Sequence, residues 1–214
     1  MRRLVHLVFQ PASRLVRLMA GEKRLVIDPH QAEDAHAHMP VFTDLDGAEC
    51  FGLWAIVDHL EGAYPEVPLV PEAPAERRET LRWLDWSMYV LNDHVTKKIV
   101  YEKANPRFTG APSRSTPDMN VIRGGREALR ELMPMLGKTV DQHGYLVSRA
   151  CTLADLALAA HLSDLDYFGE VPWDTNVPLR EWYMRMKSRP SFRSLLADRV
   201  PGQPPMSHYA ELDF

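Results

Sequence analysis

AECFGLWAI (48–56) places the end of a strand against the start of a helix. A helix beginning there offers free backbone N–H groups and a partial positive charge, the chemistry of an anion site. Ser, Thr, Asp or Asn usually assists such a site, but Gly52 and Leu53 stand here. VFQPASRLVRL (8–18) makes a second strand-to-helix turn, with Gln10 at the turn and Ser13 positioned as a helix N-cap. His30, His36 and His38 fall in one loop. An H-x-H can hold a metal, yet with no cysteine nearby this reads as a solvated loop, and no metal is expected. Cys50 and Cys151 are far apart, flanked by apolar residues and form no C-x-x-C. They read as buried, inert thiols. Trp83, Trp86, Met88 and Tyr89 in RWLDWSMYV suit helix core, a dimer contact or the wall of an aromatic groove.

Composition bounds what these groups can do. The chain has 214 residues, 45% hydrophobic and 25% charged, with a formal net charge of −4. That is the profile of an ordinary globular protein, and the charge argues against general nucleic-acid binding. No apolar run approaches the ~18 residues of a membrane span. Arg14 and Arg17 interrupt any signal-peptide core near the start. We therefore expect a reduced, cytoplasmic protein with no membrane insertion. Charge is unevenly spread. Lys97, Lys98, Lys103, Arg107, Arg114, Arg123 and Arg126 face only Glu102 and Asp118 between 97 and 126, about +5, leaving about −9 elsewhere. A basic segment of this kind suits docking of an acidic protein partner, or is a solvated face.

The elements that must position these residues follow from periodicity. LVHLVF (4–9) reads as a buried strand, SRLVRLMAGEK (13–23) as a helix with Leu15, Val16, Leu18 and Met19 inward, and RLVID (24–28) as a second strand. VFTDLDGAECF gives two short strands around a two-residue hairpin at Asp46-Gly47. GLWAIVDHLEGAYP (52–65) is an amphipathic helix with Leu53, Ile56, Val57 and Leu60 inward. Residues 1–66 thus make an α/β domain. Residues 67–76 form a proline-rich linker, and 77–197 an all-helical domain of long helices, with a disturbance expected at Gly124-Gly125 and Pro134. Residues 198–214 are an extended tail. The tail ends HYAELDF, where Tyr209, Leu212 and Phe214 are too apolar for a floppy end. It reads as a segment docked on its own body, a partner-binding peptide, or both.

A β-α-β-β-β-α unit followed by helices resembles the glutathione transferases, a thioredoxin-like domain plus a helical bundle domain. Three signals carry the resemblance over about residues 4–197. Thr152-Leu153-Ala154-Asp155 is a capping box before an apolar helix, followed by Trp182 and Arg189-Pro190-Ser191-Phe192. Met39-Pro40 precedes a strand and is similar to the family's cis-proline turn, whose preceding residue offers its backbone to the ligand. DGAECFGLWAI is similar to the family's D-G-x-x-I-x-E-S-x-A-I, with Asp46, Gly47, Cys50, Ala55 and Ile56 in register. In that register Gly52 and Leu53 replace the Glu-Ser pair that holds the γ-glutamyl group of glutathione. Gln10 fills the slot of the thiol-activating hydroxyl, and Ser13, a turn later, could stand in. The connection 28–38 is also shorter than the helix-bearing one of the family. The resemblance therefore implies a degenerate glutathione pocket at Gln10, Ser13, Met39, Gly52 and Leu53, with Pro40, Thr152 and Asp155 structural.

A transferase-like chain ending in HYAELDF is similar to transferase-like cell-division proteins of alphaproteobacteria. That resemblance implies a non-enzymatic homodimer without a cofactor, cytoplasmic and at the division site. Such a protein binds FtsZ polymers, promotes their bundling and curvature, and links the ring to septal wall synthesis, with a further division partner for the tail. The expected partner-binding residues are His208, Tyr209, Glu211, Leu212, Asp213 and Phe214, then Arg107 and Arg114. The alternative is a glutathione-dependent transferase or reductase using Ser13, with the Met39 backbone and the aromatic helix holding substrate; a third reading is small-molecule binding in the same cleft.

Overall fold

Residues 1–33, 39–112 and 116–213 are described by the computed structural model. Alternation along the central strand decides the first layer. In β1 (Arg2–His6), Leu4 joins the main core with Phe42, while Val5 packs on a small second cluster of Leu7, Ala32 and Met39. β1 pairs in parallel with β2 (Ile27–Gln31) and antiparallel with β3 (Val41–Thr43), which pairs antiparallel with β4 (Glu49–Phe51). The sheet order is β2-β1-β3-β4. The crossover is α1 (Pro11–Glu22), and α2 (Leu53–Ala63) follows β4, burying Leu53, Ile56, Val57 and Leu60 as expected.

Several boundaries differ from the sequence reading. β1 lies at 2–6 rather than 4–9, and β2 at 27–31 rather than 24–28, because the chain is still turning at Arg24, whose φ is 57°. Ser13 lies inside α1, and Gln10 is the N-cap with Pro11 first in the helix. The hairpin loop holds three residues, 45–47, rather than two, closed by the Asp44 N–H on the Ala48 carbonyl at 2.9 Å. Asp44 sets that turn. Its carboxylate accepts from Leu45 N (2.7 Å) and Tyr64 Oη (2.6 Å), with His59 Nε2 at 2.7 Å and Arg2 Nε at 3.1 Å.

The helices share the main core with the sheet. α3 (Pro74–Asp85) begins inside the expected linker, since proline is pre-shaped for a first helical position. A π-helical segment (Trp86–Thr96) joins it to α4 (Lys97–Lys103). α5 (Met119–His143) runs through Gly124-Gly125 and Pro134 without the expected break, capped by the Asp118 carboxylate. α6 (Leu153–Tyr167) is buried along its whole length, covered by α1, α3, the π segment, α4 and α7 (Val177–Lys187), while α8 (Arg193–Leu196) packs on α1. The capping box is present: Asp155 accepts from Thr152 N at 2.9 Å and Thr152 Oγ1 at 3.0 Å. Asp155 also accepts from Leu146 N (2.9 Å) and Trp182 Nε1 (3.2 Å). The tail is less extended than expected. It carries a Val200–Gln203 bridge and a 3₁₀ turn at Ser207–Ala210.

Two predictions follow from these hubs. Asp155→Ala orphans four buried donors and should lower unfolding free energy by about 3 kcal/mol, read as a lower urea midpoint at unchanged slope. Burial alone would raise the Asp44 carboxyl, but hydrogen bonds from Tyr64 and His59, the Leu45 N–H and the Arg2 charge together bring it down to about 2. A depressed carboxylate contributes stability above its unfolded value near 3.8, and that contribution is lost as pH falls through about 2. The stability gap between wild type and Asp44→Asn should therefore close over pH 4 to 2 in acid titrations of urea unfolding.

Candidate functional site

Three backbone features carry the pocket that the resemblance implies. Only the two helix starts reach a common cavity, for Met39, Pro40 and Gly52 do not line it and Met39 packs with Leu7 and Ala32. The first is the N-terminus of α1, where Gln10 adopts φ −133° and ψ 116° before Pro11. The second is the Met39-Pro40 turn, whose peptide bond is cis, as expected; the Pro40 carbonyl accepts from Gly52 N at 2.9 Å. The third is the N-terminus of α2, where Gly52 is the N-cap at φ 82° and ψ 162°, and no side chain caps the helix. A cavity of about 270 Å³ opens beside the two helix starts, lined by Gln10, Pro11, Ala12, Leu53, Trp54, Met88, Tyr89, Asn92, Lys97 and Tyr101.

Its lining mixes apolar side chains with the amides of Gln10 and Asn92, the phenols of Tyr89 and Tyr101 and one lysine, with no carboxylate. Ser13 is fully buried and does not line it. The Ser13 hydroxyl donates to Gln10 Oε1 at 2.6 Å and accepts from Leu7 N at 3.3 Å, so both its hydrogen-bonding roles are filled within the turn. Leu53 closes the α2 end of the cavity without a polar atom on its side chain. Trp54 and Tyr89 stack at its mouth, centroids 6.5 Å apart at 20°. Lys97 brings a charge, but its Nζ donates to Asp93 at 2.6 Å. Of the aromatic run, Met88 and Tyr89 reach the cavity, while Trp83 is in the core and Trp86 packs on it.

Asn92 and Tyr101 were not singled out from the sequence, and helical spacing conceals them. Met88, Asn92, Lys97 and Tyr101 are separated by four, five and four residues. The five-residue step coincides with the Lys97 N–H bonding to the Asn92 carbonyl, a π turn. The π-helical segment running on into α4 leaves all four side chains lining the same cavity. A π segment has no propensity signature by which a sequence reading could find it.

The remaining candidates scatter. His30 lies on β2 rather than in a loop, exposed, its Nε2 2.7 Å from Asp28 Oδ2; His36 and His38 fall outside the described residues. Among the described residues no group of His, Cys, Asp and Glu suits a metal ion. Cys50 and Cys151 are free and half-buried rather than buried as expected; desolvation, then neighbouring acids, push both thiols up, away from thiolate reactivity. In the basic segment, Lys103 and Arg126 both grip the buried Glu170 carboxylate. Lys98, Arg107 and Arg123 make no ion pair among the described residues, and Arg107 and Arg123 are exposed. Arg114 and Phe214 lie outside the described residues. In the tail, Tyr209 is buried and His208 half-buried, while Glu211, Leu212 and Asp213 are exposed. No helix among the described residues is long and apolar enough to cross a membrane.

The mixed four-stranded sheet, the cis-proline turn and a capping box heading a wholly buried helix define a glutathione-transferase fold. A transferase from Rhodospirillum rubrum superposes on the whole of both chains with a TM-score of 0.93 at 36% identity. FzlA from C. crescentus superposes on all of this chain and 99% of its own with a TM-score of 0.92 at 37% identity. FtsZ-localized protein A of Caulobacter vibrioides is 38% identical across all of this chain and 98% of its own length. The chain belongs to the family of FtsZ-localized protein A. No protein-family model matches it.

The Gly52 backbone lies in a region essentially closed to other residues. Nothing stands within 4 Å of a Cβ built there, so the cost of adding one is conformational alone. Gly52→Ala should therefore lower stability by about 2 kcal/mol in thermal or urea unfolding, and a neutral result would refute this account of the α2 cap.

Proposed function

We propose that this chain is a non-enzymatic cell-division factor that binds FtsZ filaments as a homodimer, at the division site in the cytoplasm. The observation that carries the reading is the 38% identity with FtsZ-localized protein A, in an alignment that covers all of this chain. The cleft supports it by chemistry. Where the transferase pattern places a Glu-Ser pair on the γ-glutamyl group, this chain has Gly52 and Leu53, and neither has a side chain that can bond an ammonium or a carboxylate. Each lost charge-assisted bond is worth roughly 1.5–3 kcal/mol, and ~1.4 kcal/mol is tenfold in affinity. Gln10 offers no hydroxyl to a thiol, and the Ser13 hydroxyl is already occupied inside the turn. The glutathione site is on this reading degenerate.

Filament contact is assigned to Arg107 and Arg123, which make no ion pair among the described residues, with Arg114 of the same segment, and to the exposed tip Glu211, Leu212 and Asp213 with Phe214 beyond it. Two subunits related by a two-fold axis present two copies of a weak surface. Avidity along a polymer then makes binding tight and sensitive to curvature, from which bundling follows. If the body alone holds the filament, the exposed tip instead engages a later division partner that couples the ring to septal wall synthesis. A second reading, glutathione-dependent transferase, rests on the preserved cis-proline turn and on the likeness to the R. rubrum transferase; it requires a cleft that holds glutathione.

The test is co-sedimentation with FtsZ polymerised by GTP. The full chain should pellet only with polymer. Arg107→Glu should weaken binding about tenfold, with relief of the effect at high salt. A chain ending at Ala210, which keeps Tyr209 in place, separates the exposed tip from the docked part: loss of pelleting assigns filament contact to the tip, and retention assigns it to the body. No pelleting of the full chain would refute the reading.

A further inference from the structure

Tyr209 is fully buried although it stands close to the end of the sequence. Its hydroxyl accepts a hydrogen bond from Arg14 Nη1 at 2.9 Å and donates one to the Leu195 carbonyl at 3.0 Å. The ring meets Tyr167 edge-on, centroids 5.0 Å apart at 69°. The flanking residues are held as closely. Met206 N donates to the Tyr167 carbonyl at 3.0 Å, and His208 Nε2 lies 3.0 Å from Asp166 Oδ1. Lys187 Nζ donates to the His208 carbonyl at 3.2 Å. Gly169 makes room for this passage: a Cβ there would stand 2.7 Å from Met206 Cγ.

These contacts have the character of a receptor. The phenol is read as donor and acceptor at once, the imidazole is met by a carboxylate, and a backbone N–H and C=O are each paired with the body. The segment ends sharply, for Glu211, Leu212 and Asp213 are exposed. Upstream, Pro201, Pro204 and Pro205 make a stiff tether that holds the segment near its seat. We propose that the body carries a peptide-binding site specific for a tyrosine-containing segment, that residues 206–210 of the chain occupy it, and that the same segment supplied in trans exchanges with them. His208 and Tyr209 are then anchor residues rather than partner contacts. The exposed tip is delivered to one place beside α7, where Leu212 and Asp213 line a groove with Glu181, Met184, Arg185 and Ser188. The inference goes beyond the FtsZ reading and does not depend on it.

The test uses the full chain with Tyr209→Ala, which weakens its own anchor, and a labelled peptide of sequence MSHYAELDF followed by fluorescence anisotropy. The peptide should bind the variant saturably and the wild type, whose site is filled, at least tenfold more weakly. The same peptide with phenylalanine for tyrosine should bind the variant about tenfold more weakly, since two hydrogen bonds are lost. Equal binding to variant and wild type, or equal binding of the two peptides, overturns the proposal. If Tyr209→Ala does not fold, Tyr209→Phe keeps the ring and gives a second readout by amide hydrogen exchange. Exchange about tenfold faster confined to residues 206–211 supports the anchor, and unchanged exchange there overturns it.

Discussion

A guanidinium with no exposed surface ties this molecule together. Arg14 Nε donates to the Val8 carbonyl at 2.9 Å, and Nη1 donates to Ser163 Oγ at 3.0 Å and to Tyr209. Asp164 Oδ1 lies 2.6 Å from Nε, yet that hydrogen points to Val8, so the pair is a Coulombic contact rather than a hydrogen bond. Asp198 Oδ2 stands 3.5 Å from Nη2 and is held by Arg17. Burial pushes the Asp164 carboxyl up against the pull of Arg14. Removing one partner of a buried pair costs roughly 3–5 kcal/mol because the other charge is left alone. One side chain thus joins the turn after β1, the central helix α6, the stretch after α8 and the tail.

That constraint bears on the cleft. Arg14 follows Ser13 directly, and its bonds to Val8 and α6 hold the first turn of α1 in a single setting. Within that setting Ser13 faces inward, toward Gln10 and Leu7 N, and has no path to the cavity. On the proposed reading, the turn that supports thiol chemistry in a transferase keeps its hydroxyl bonded internally, which leaves charge and tail as the surfaces for function. Fold and function separate cleanly in such a case: the scaffold is shared, while the side chains at two helix starts decide the chemistry.

Much of the architecture was legible because it rests on periodicity and caps. The crossover, the inward face of α2 and the Thr152–Asp155 box follow from spacing that any packing must respect. The misses have physical causes. Proline at 74 starts a helix as readily as it marks a linker, and the Asp44 carboxylate pulls the hairpin turn one residue earlier. The π turn before Lys97 shifts a cavity wall by one position. Arg14 and Arg17 entered the sequence reading only as charges that interrupt an apolar run, and their burial was not foreseen. The signal for that lay elsewhere, in LSDLDY: Asp164 and Asp166 on an otherwise apolar helix need buried partners, and Arg14 and His208 supply them. Tyr209 stood out by its apolarity in a polar tail, but nothing local distinguishes a docked tyrosine from one offered to a partner.

The claim that this transferase frame works through its surfaces rather than its cleft is tested most directly by calorimetric titration of glutathione into the full chain. The account predicts no saturable heat below roughly millimolar concentrations, where binding would be weaker than about 4 kcal/mol. Stoichiometric binding of one glutathione per chain in the micromolar range would contradict it, and would return the cleft to the centre of the protein's function.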